Sequence, residues 1–339
     1  MKILIAGLGS IGRRHFRNLK SLGENDLILY RTHRSTLSDD ELAGVPVETD
    51  LNVALAQKPD AVIVSNPTAL HLDVAIPAVA AGCAVLLEKP ISHHLERVDE
   101  LLAAQRASGA PVLVAFQFRY HPGIRQVRTW LQDGAIGRPL SARAHWGEFL
   151  ANWHPWEDYR QSYSARADLG GGVVLTLSHP LDYLRWLLGD VQDLFAFTGK
   201  LGDLEMGVED TAEIVLRFAG GCLGSLHLDY NQQPAAHTLE IIGTQGTLTW
   251  DNATGAARCY RAQTNVWEQV DLPQGFERNH LFLDEMRHFL AVARREEQPI
   301  CLLEDGVRAL DMAMAALRSG QSGERVPLSQ PLPFRGEEK

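Results

Sequence analysis

Three glycines near the start of the chain constrain its fold most. Gly7, Gly9 and Gly12 form a Gly-x-Gly-x-x-Gly pattern directly after an apolar run at residues 2–6. Apolar residues then recur at helical spacing, so the glycines occupy a strand-to-helix turn. The first glycine of such a turn permits tight bending, the second lets a pyrophosphate approach the backbone, and the third lets the helix pack closely. The pattern predicts a dinucleotide site, with contacts from Gly7, Gly9, Ser10, Ile11 and Gly12.

The sequence changes character after residue 122. Before it, short β-rich runs alternate with helical patterns, which is typical of a parallel sheet buried on both faces. After it, β-runs separated by short turns indicate an antiparallel sheet, and helices are predicted at 124–132, 279–297 and 304–319. The prediction is an α/β fold: an N-terminal Rossmann domain over residues 1–122 and a C-terminal α+β domain over 123–339, built on an open, mostly antiparallel sheet. The predicted strands are 2–6, 27–30, 61–65, 84–87, 112–116, 140–145, 211–218, 222–230, 238–243 and 246–250.

Composition excludes several classes of protein. A formal charge of −10 is opposite to the cationic surface that nucleic acids require, and no uninterrupted apolar run is long enough to suggest a membrane span. The four cysteines lie far apart without zinc-site spacing, so neither a metal site nor a disulfide framework is predicted. We expect an enzyme of a reducing cytoplasm that acts on a small molecule.

The segment after the second strand bears on the choice of cofactor. An acidic residue there would bind the ribose 2′-hydroxyl of NAD, but the sequence reads Tyr30-Arg31-Thr32-His33-Arg34. Arginine suits a 2′-phosphate, so Arg31, Thr32 and Arg34 favour NADP over NAD. The alternative is that both arginines are solvated surface residues.

A lysine follows the predicted strand at 84–87. Glu88-Lys89-Pro90 places it at the carboxyl edge of the parallel sheet, where ligands of such folds bind. Pro90 keeps Lys89 out of the helical region, which would hold the amine still for proton transfer. Taken alone, a solvated surface lysine is the alternative.

Read together, these motifs resemble the glucose-fructose oxidoreductase/inositol dehydrogenase/rhizopine-catabolism (Gfo/Idh/MocA) family. The resemblance extends over nearly the whole chain and rests on the order and spacing of the motifs. The stretches that carry it are GLGSIGRRH at 7–15, Asn66-Pro67-Thr68 with His71, Glu88-Lys89-Pro90, QFRYHP at 117–122, the turn at 134–139, the glycines at 170–172 leading to His179, and VEDT at 208–211.

The resemblance implies a two-domain enzyme with its active site between the domains. Such enzymes oxidise or reduce a carbinol carbon of a sugar, sugar acid, nucleotide sugar or cyclitol, and the lysine of the Glu-Lys-Pro motif assists proton transfer. The open sheet implies a homodimer or homotetramer. By resemblance the catalytic residues are Lys89 and His179, and further cofactor contacts are Asn66, Pro67, Thr68, His71, Glu88, Lys89 and Gln117.

The segment around His179 departs from the family in one respect. Many members carry an aspartate three or four residues before this histidine, where the chain has Leu175 and Thr176. His179 is predicted about two turns into a continuous helix. Asp182 on the same face would orient its ring, and the alternative is a solvent-exposed or structural carboxylate. Aromatic rings between residues 145 and 163 suit the C–H face of a sugar. The predicted substrate contacts are Lys89, Arg119, Trp153, Tyr163, Thr176 and His179.

Two other functions remain open at this point. Some family members are NAD-dependent glycosidases that oxidise a sugar transiently and keep their cofactor bound. The missing aspartate also leaves open a non-catalytic, cofactor-sensing regulator of the same fold, although the presence of both Lys89 and His179 argues against it.

Overall fold

A parallel sheet forms the N-terminal part of the molecule. The computed structural model describes residues 1–32 and 40–328. The sheet contains six strands in the order β3-β2-β1-β4-β5-β6, and each neighbouring pair is parallel. Its elements are β1 (Ile3–Ala6), α1 (Ser10–Ser21), β2 (Leu27–Tyr30), β3 (Val47–Glu48), α2 (Leu51–Ala56), β4 (Ala61–Val64), α3 (His71–Ala80), β5 (Ala84–Glu88), α4 (Val98–Ser108) and β6 (Val112–Ala115).

This strand order confirms the predicted Rossmann fold. The chain leaves β1 in one direction to form β2 and β3, then returns to the other side of β1 to form β4, β5 and β6. A crevice opens where the order reverses, outside the carboxyl ends of β1 and β4, and ligands of open α/β sheets bind there. Every residue of β1 and β4 is buried, as expected for strands covered on both faces.

A second sheet of nine strands forms the C-terminal part. Its order is β14-β13-β12-β11-β7-β10-β9-β8-β15, and among these neighbours the β7–β10 pair is parallel and the other pairs are antiparallel. This mixed, mostly antiparallel sheet confirms the predicted α+β class. The elements are α5 (Pro122–Gln132), β7 (Pro139–Gly147), α6 (Val173–Thr176), α7 (His179–Leu188), β8 (Val191–Gly199), β9 (Thr211–Phe218), β10 (Leu223–Asp229), β11 (Ala236–Gly243), β12 (Gly246–Asp251), β13 (Ala257–Arg261), β14 (Val266–Val270), α8 (Asn279–Ala293), α9 (Leu303–Ser322) and β15 (Val326–Pro327).

The two faces of the second sheet differ. Helices α5, α6, α7 and α9 pack against one face. On the other face alternate side chains are exposed, including the apolar side chains of Val215 and Leu223, each with 53% of its surface accessible. Helix α8 does not stay with the second sheet, because it packs against α1 and against strands β5 and β6. The C-terminal segment thus returns to the first sheet, and the division at residue 122 stays a prediction.

The segment that carries His179 corrects one expectation. The predicted continuous helix is two helices, because α6 ends at Thr176 and α7 begins at His179. Pro180 lies in the first turn of α7, where a residue without an N–H is tolerated, whereas in a helix interior it would break a hydrogen bond. His179 therefore stands at a helix N-terminus, not two turns inside a helix.

Candidate active site

In the glycine turn after β1, two of the three glycines leave no room for a side chain. Gly7 has φ +95°, and a Cβ there would lie 2.4 Å from the backbone nitrogen of Asn66. A Cβ on Gly12 would lie 2.0 Å from the carbonyl oxygen of Gly7. A Cβ on Gly9, in contrast, would meet nothing within 4 Å. Gly7 and Gly12 thus shape the turn, and Gly9 faces open space.

The open space at Gly9 lies at the N-terminus of α1. Gly9 is the N-cap residue of this helix and has no side chain to bind the first backbone N–H groups, and the first turn contains no acidic residue. Free N–H groups and the positive end of a helix dipole bind phosphate well. The residues present therefore fit a pyrophosphate, as the sequence predicts for Gly9, Ser10 and Ile11.

The predicted adenosine contacts are partly described. Arg31 lies just beyond β2 and is 7% exposed, and its backbone N–H donates to the carbonyl oxygen of Glu48 at 3.1 Å. Thr32 is exposed. Arg34 lies outside the described residues, so the preference for NADP stays a prediction.

Glu88 anchors the turn that carries Lys89. It is the last residue of β5, and its carboxylate lies 2.7 Å from Nε2 of His15 in α1. The other carboxylate oxygen accepts from the backbone N–H of Lys89 at 3.3 Å. The sequence analysis missed His15, although it follows the glycine pattern within the family-like stretch. Glu88 is 7% exposed and His15 is fully buried, so this pair fixes the turn from behind.

His71 joins two of the predicted cofactor segments. Its Nδ1 lies 2.9 Å from the carbonyl oxygen of Pro90, and its Nε2 lies 2.9 Å from that of Asn66. Burial lowers the pKa of His71 and favours the neutral ring, which donates only one hydrogen bond at a time. The ring is 2% exposed and Thr68 is 3% exposed. In this structure His71 thus lies between the two turns and donates to the backbone of one of them at a time.

Lys89 lies where the part of the molecule built on the first sheet meets the part built on the second sheet. Its ammonium group donates to the carbonyl oxygen of Thr176, the last residue of α6, at 2.6 Å. Burial lowers the pKa of Lys89 to about 8, the charge of Glu88 opposes this shift, and Arg278 adds to it. An amine with a pKa near neutrality exchanges protons readily under physiological conditions.

His179 packs against several aromatic rings. Its ring centroid lies 5.0 Å from that of Phe118 and 5.6 Å from that of Trp146. Burial lowers the pKa of His179 well below its usual range, and the charge of Lys89 lowers it further. Its Nδ1 has no hydrogen-bond partner among the described residues. His179 is therefore neutral, with a ring nitrogen available to a ligand.

Asp182 and Arg119 form a buried ion pair. The Arg119 guanidinium donates from Nε and from a terminal nitrogen to the carboxylate of Asp182, at 2.9 and 2.6 Å. Its other terminal nitrogen donates to the carbonyl oxygen of Ile300 and to Asp305. Arg119 is 1% exposed and Asp182 is 2% exposed. Asp182 thus pairs with Arg119 instead of orienting His179, and Arg119 belongs to a buried ion pair, not to an open pocket surface.

The remaining predicted substrate contacts lie around Thr176. Thr176 is 3% exposed, and its hydroxyl, which lies near that of Tyr230, makes no hydrogen bond of good geometry in the described part of the chain. The indole nitrogen of Trp153 also makes no hydrogen bond there, and its ring packs edge-on against Tyr230 at 5.5 Å. Tyr163 is 37% exposed, and Gln117 is 7% exposed just beyond β6. Thr176 and Trp153 thus both offer a polar atom to a ligand.

The sequence analysis missed a carboxylate beside α6. Glu209 accepts a hydrogen bond from the backbone N–H of Val174 at 3.2 Å, and its backbone oxygen accepts from Val173 at 3.1 Å. Gly172, with φ +107°, makes room for it, because a Cβ there would lie 2.4 Å from the Glu209 carboxylate. Burial raises the pKa of Glu209 to about 7. The family-like stretch at 208–211 contains Glu209, but no role was predicted for this residue.

Comparisons with known proteins agree with this geometry. A family model described as an oxidoreductase family with an NAD-binding Rossmann fold matches residues 1–116, and a model described as the GFO/IDH/MocA C-terminal domain matches residues 124–249. Myo-inositol 2-dehydrogenase of Thermotoga maritima is 28% identical, with 97% of this chain and 99% of that protein covered. The 1,5-anhydro-D-fructose reductase of Ensifer adhaerens is 28% identical, over 79% of this chain and 80% of that protein.

Solved structures show the same fold over nearly the whole chain. A levoglucosan dehydrogenase in complex with NADH and levoglucosan superposes with a TM-score of 0.85 at 20% identity, covering 97% of this chain and all of that one. None of the helices in the described ranges is both long enough and apolar enough to cross a membrane.

Proposed function

The chain belongs to the Gfo/Idh/MocA family of oxidoreductases, and we propose that Lys89 and His179 handle the proton in its reaction. The enzyme carries out NAD(P)-dependent oxidoreduction at CH–OH groups of sugars or cyclitols, as the names of its relatives indicate. Those names are of dehydrogenases and reductases, which favours the dehydrogenase over the cofactor-sensing regulator. One observation carries the proposal: a lysine with a pKa near 8 projects from the carboxyl edge of the first sheet onto the second unit.

The dinucleotide would lie across the crevice beside β1. Gly9 and the N-terminus of α1 would hold its pyrophosphate, and the turns at Asn66 and Glu88, tied together by His71, would line its nicotinamide half. When bound, the nicotinamide ring accepts or supplies the hydride of the carbinol carbon.

Lys89 would receive the hydroxyl proton in the direction of oxidation. Its neutral amine is the base, and in the direction of reduction its ammonium is the acid. The hydrogen bond to the carbonyl oxygen of Thr176 holds Nζ in one place. The neutral ring of His179 would bind the same hydroxyl, and its lowered pKa keeps a second positive charge away from Lys89.

The substrate would be bound by polar atoms that make no hydrogen bond of good geometry within the described ranges. The Thr176 hydroxyl and the Trp153 indole nitrogen are two of these, and a buried polar atom without a partner is costly unless a ligand or water satisfies it. Together with the exposed ring of Tyr163 they suit a sugar or cyclitol, which offers several hydroxyls and an apolar C–H face. This assignment gives no role in substrate binding to Arg119.

NADP preference is a separate part of the proposal. It depends on Arg31 and Arg34 in a segment without an acidic residue after β2. The dissociation constants of NAD and NADP, measured by fluorescence titration, test it. We expect tighter binding of NADP and a loss of this preference in Arg34→Ala, and equal affinity of the wild type for both cofactors would contradict it.

We also propose a homodimer or homotetramer that forms through the open face of the second sheet. Val215, Leu223 and Phe197 expose 53%, 53% and 69% of their surfaces. Light scattering after size-exclusion chromatography gives the oligomeric state, and Leu223→Lys should shift it towards the monomer.

All four cysteines are buried and free of disulfides, which favours the reducing cytoplasm.

A substrate screen tests the central assignment. Sugars, sugar acids, nucleotide sugars and cyclitols are incubated with NAD or NADP, and the absorbance of the reduced cofactor is followed. On the best substrate, Lys89→Ala should abolish turnover while the cofactor still binds. Lys20→Ala, at an exposed lysine of α1, is the matched control and should retain activity. Normal turnover by Lys89→Ala would overturn the proposed role of Lys89.

A further inference from the structure

Two histidines and an aspartate meet on the open face of the second sheet. Strands β7 and β10 are parallel neighbours, and their register places His145 beside His227 and Gly147 beside Asp229. Since side chains two residues apart in a strand point to the same face, all four positions lie on one side of the sheet. The potential ligand atoms of His145, His227 and Asp229 all lie within 4.8 Å of one another. We propose that this cluster binds a divalent transition-metal ion, Zn²⁺ in the first instance.

Gly147 leaves room for two of the oxygen donors. A Cβ on Gly147 would lie 2.2 Å from a carboxylate oxygen of Asp229 and 2.3 Å from the side-chain oxygen of Gln232. Any other residue at position 147 would thus displace these oxygens from the cluster. Gln232 Oε1 also lies 2.5 Å from Nε2 of His145, so it provides a fourth donor.

The donors are oriented before any ion binds. One carboxylate oxygen of Asp229 accepts from the backbone N–H groups of Asn231 and Gln232, each at 2.6 Å. The other carboxylate oxygen lies 2.9 Å from Nε2 of His227. The two imidazole rings stack with their centroids 4.6 Å apart. Ligands of a tetrahedral zinc ion lie about 3.4 Å from one another, so small side-chain rotations bring these atoms into the coordination sphere.

Glu213 supplies the outer partner that metal-binding histidines usually have. Its carboxylate lies 2.6 Å from Nδ1 of His227, and the register of β9 and β10 places the two residues side by side. A carboxylate on Nδ1 keeps a proton there, so a metal ion can replace the Nε2 proton that now faces Asp229, and it raises the basicity of Nε2. Two imidazole nitrogens with one or two oxygens favour zinc and related transition metals over calcium or magnesium, which prefer oxygen ligands alone.

The sequence predicts no metal site, because its search was for cysteine and histidine pairs at short spacing. Here the ligands come from residues 145, 227 and 229, and only the pairing of β7 with β10 brings them together. The site lies on the open face of the sheet, opposite the face on which the helices pack. The proposal is therefore independent of the proposed catalytic residues.

Metal binding to the full-length, untagged protein tests the proposal. After dialysis against a chelator, Zn²⁺ is titrated calorimetrically, and Co²⁺ is added to detect the visible absorption of a four-coordinate site. We expect one Zn²⁺ per chain in the wild type. His145→Ala and His227→Ala should each weaken binding at least tenfold, and Glu213→Gln, which keeps the fold and the ligands, should weaken it about tenfold. His288→Ala, at another histidine paired with a carboxylate, should bind like the wild type.

Two results would overturn the proposal. One is a wild type that binds no stoichiometric Zn²⁺ or Co²⁺. The other is a Zn²⁺ affinity that is the same in His145→Ala, His227→Ala and Glu213→Gln as in the wild type. Circular dichroism of each variant shows whether it is folded, and Glu213→Gln keeps the test decisive if a histidine variant is not.

Discussion

The ammonium nitrogen of Lys89 lies 2.6 Å from the carbonyl oxygen of Thr176. Lys89 follows β5 of the first sheet, whereas Thr176 ends α6 of the second unit. This hydrogen bond therefore connects the two halves of the molecule at the point where cofactor and substrate would meet. The acceptor is a backbone oxygen. The amine of Lys89 is therefore held in place although Leu175 and Thr176 stand where many family members have an aspartate.

The pKa of Lys89 predicts how activity depends on pH. Burial lowers this pKa to about 8, so the neutral amine accumulates above about pH 8. We expect kcat/KM for alcohol oxidation to rise with pH to a plateau above that value, and kcat/KM for carbonyl reduction to fall over the same range. Initial rates in both directions across pH give the profiles. A pH-independent oxidation rate, with chemistry rate-limiting, would argue against Lys89 as the base.

Gly9 and Gly12 should respond differently to alanine. A Cβ on Gly9 meets no protein atom within 4 Å, so Gly9→Ala should fold normally and weaken cofactor binding at least about tenfold by crowding the pyrophosphate. A Cβ on Gly12 would lie 2.0 Å from the Gly7 carbonyl oxygen, so Gly12→Ala should lower the melting temperature as well.

Cofactor titration and thermal melting of the two variants separate these effects. Gly189→Ala is not a suitable control, because Gly189 has φ +89° and would be strained by a side chain. Gly207→Ala, where a Cβ also meets nothing within 4 Å, is the better one. If Gly9→Ala binds the cofactor as tightly as the wild type, the pyrophosphate does not bind at this turn.

The buried ion pair between Arg119 and Asp182 should contribute to the free energy of unfolding. Arg119→Met would leave the Asp182 carboxylate buried without its main partner, and breaking a buried ion pair in this way costs about 3–5 kcal/mol. Arg160→Met is the matched control, since Arg160 pairs with Asp158 on the surface and its loss should change stability little. Urea denaturation measures both. Equal stability of the two variants would show that Arg119 is not a structural residue.

Much of the fold could be predicted from the sequence because its signals are local. The five strands of the first sheet predicted at 2–6, 27–30, 61–65, 84–87 and 112–116 agree with β1, β2, β4, β5 and β6 to within one residue at either end. Apolar runs bounded by turns mark such buried strands clearly. Strands β3, β8, β13, β14 and β15 were not predicted. β3 and β15 have two residues each and β14 is mostly exposed, so these three have no apolar pattern.

The candidate site was less predictable because its partners are distant in sequence. Lys89 and His179 were predicted through motifs, and their catalytic roles stay predictions. The contacts of Glu88 with His15 and of Asp182 with Arg119 depend on how helices and loops pack, and no spacing rule reports that. Arg119 was predicted to contact substrate as part of the family-like stretch at 117–122, but folding places the Asp182 carboxylate beside it. Helix periodicity likewise could not show that Pro180 starts a new helix.

Glu209 should make the stability of the protein depend on pH near neutrality. Burial raises its pKa from 4.5 to about 7, so the folded state binds a proton that the unfolded state has lost. For a carboxyl group with a raised pKa, the stabilising contribution is fully present below the unfolded value and is lost as pH rises through about 7. The shift corresponds to about 3 kcal/mol as an upper limit.

Glu209→Gln keeps an oxygen for the Val174 N–H but cannot ionise. Between about pH 5 and about pH 8 the free energy of unfolding should therefore fall less in Glu209→Gln than in the wild type. Glu205→Gln, at an exposed carboxylate of the same loop, should follow the wild type. Urea denaturation at several pH values measures all three proteins, and parallel curves for wild type and Glu209→Gln would show that Glu209 is ionised in the folded state throughout this range.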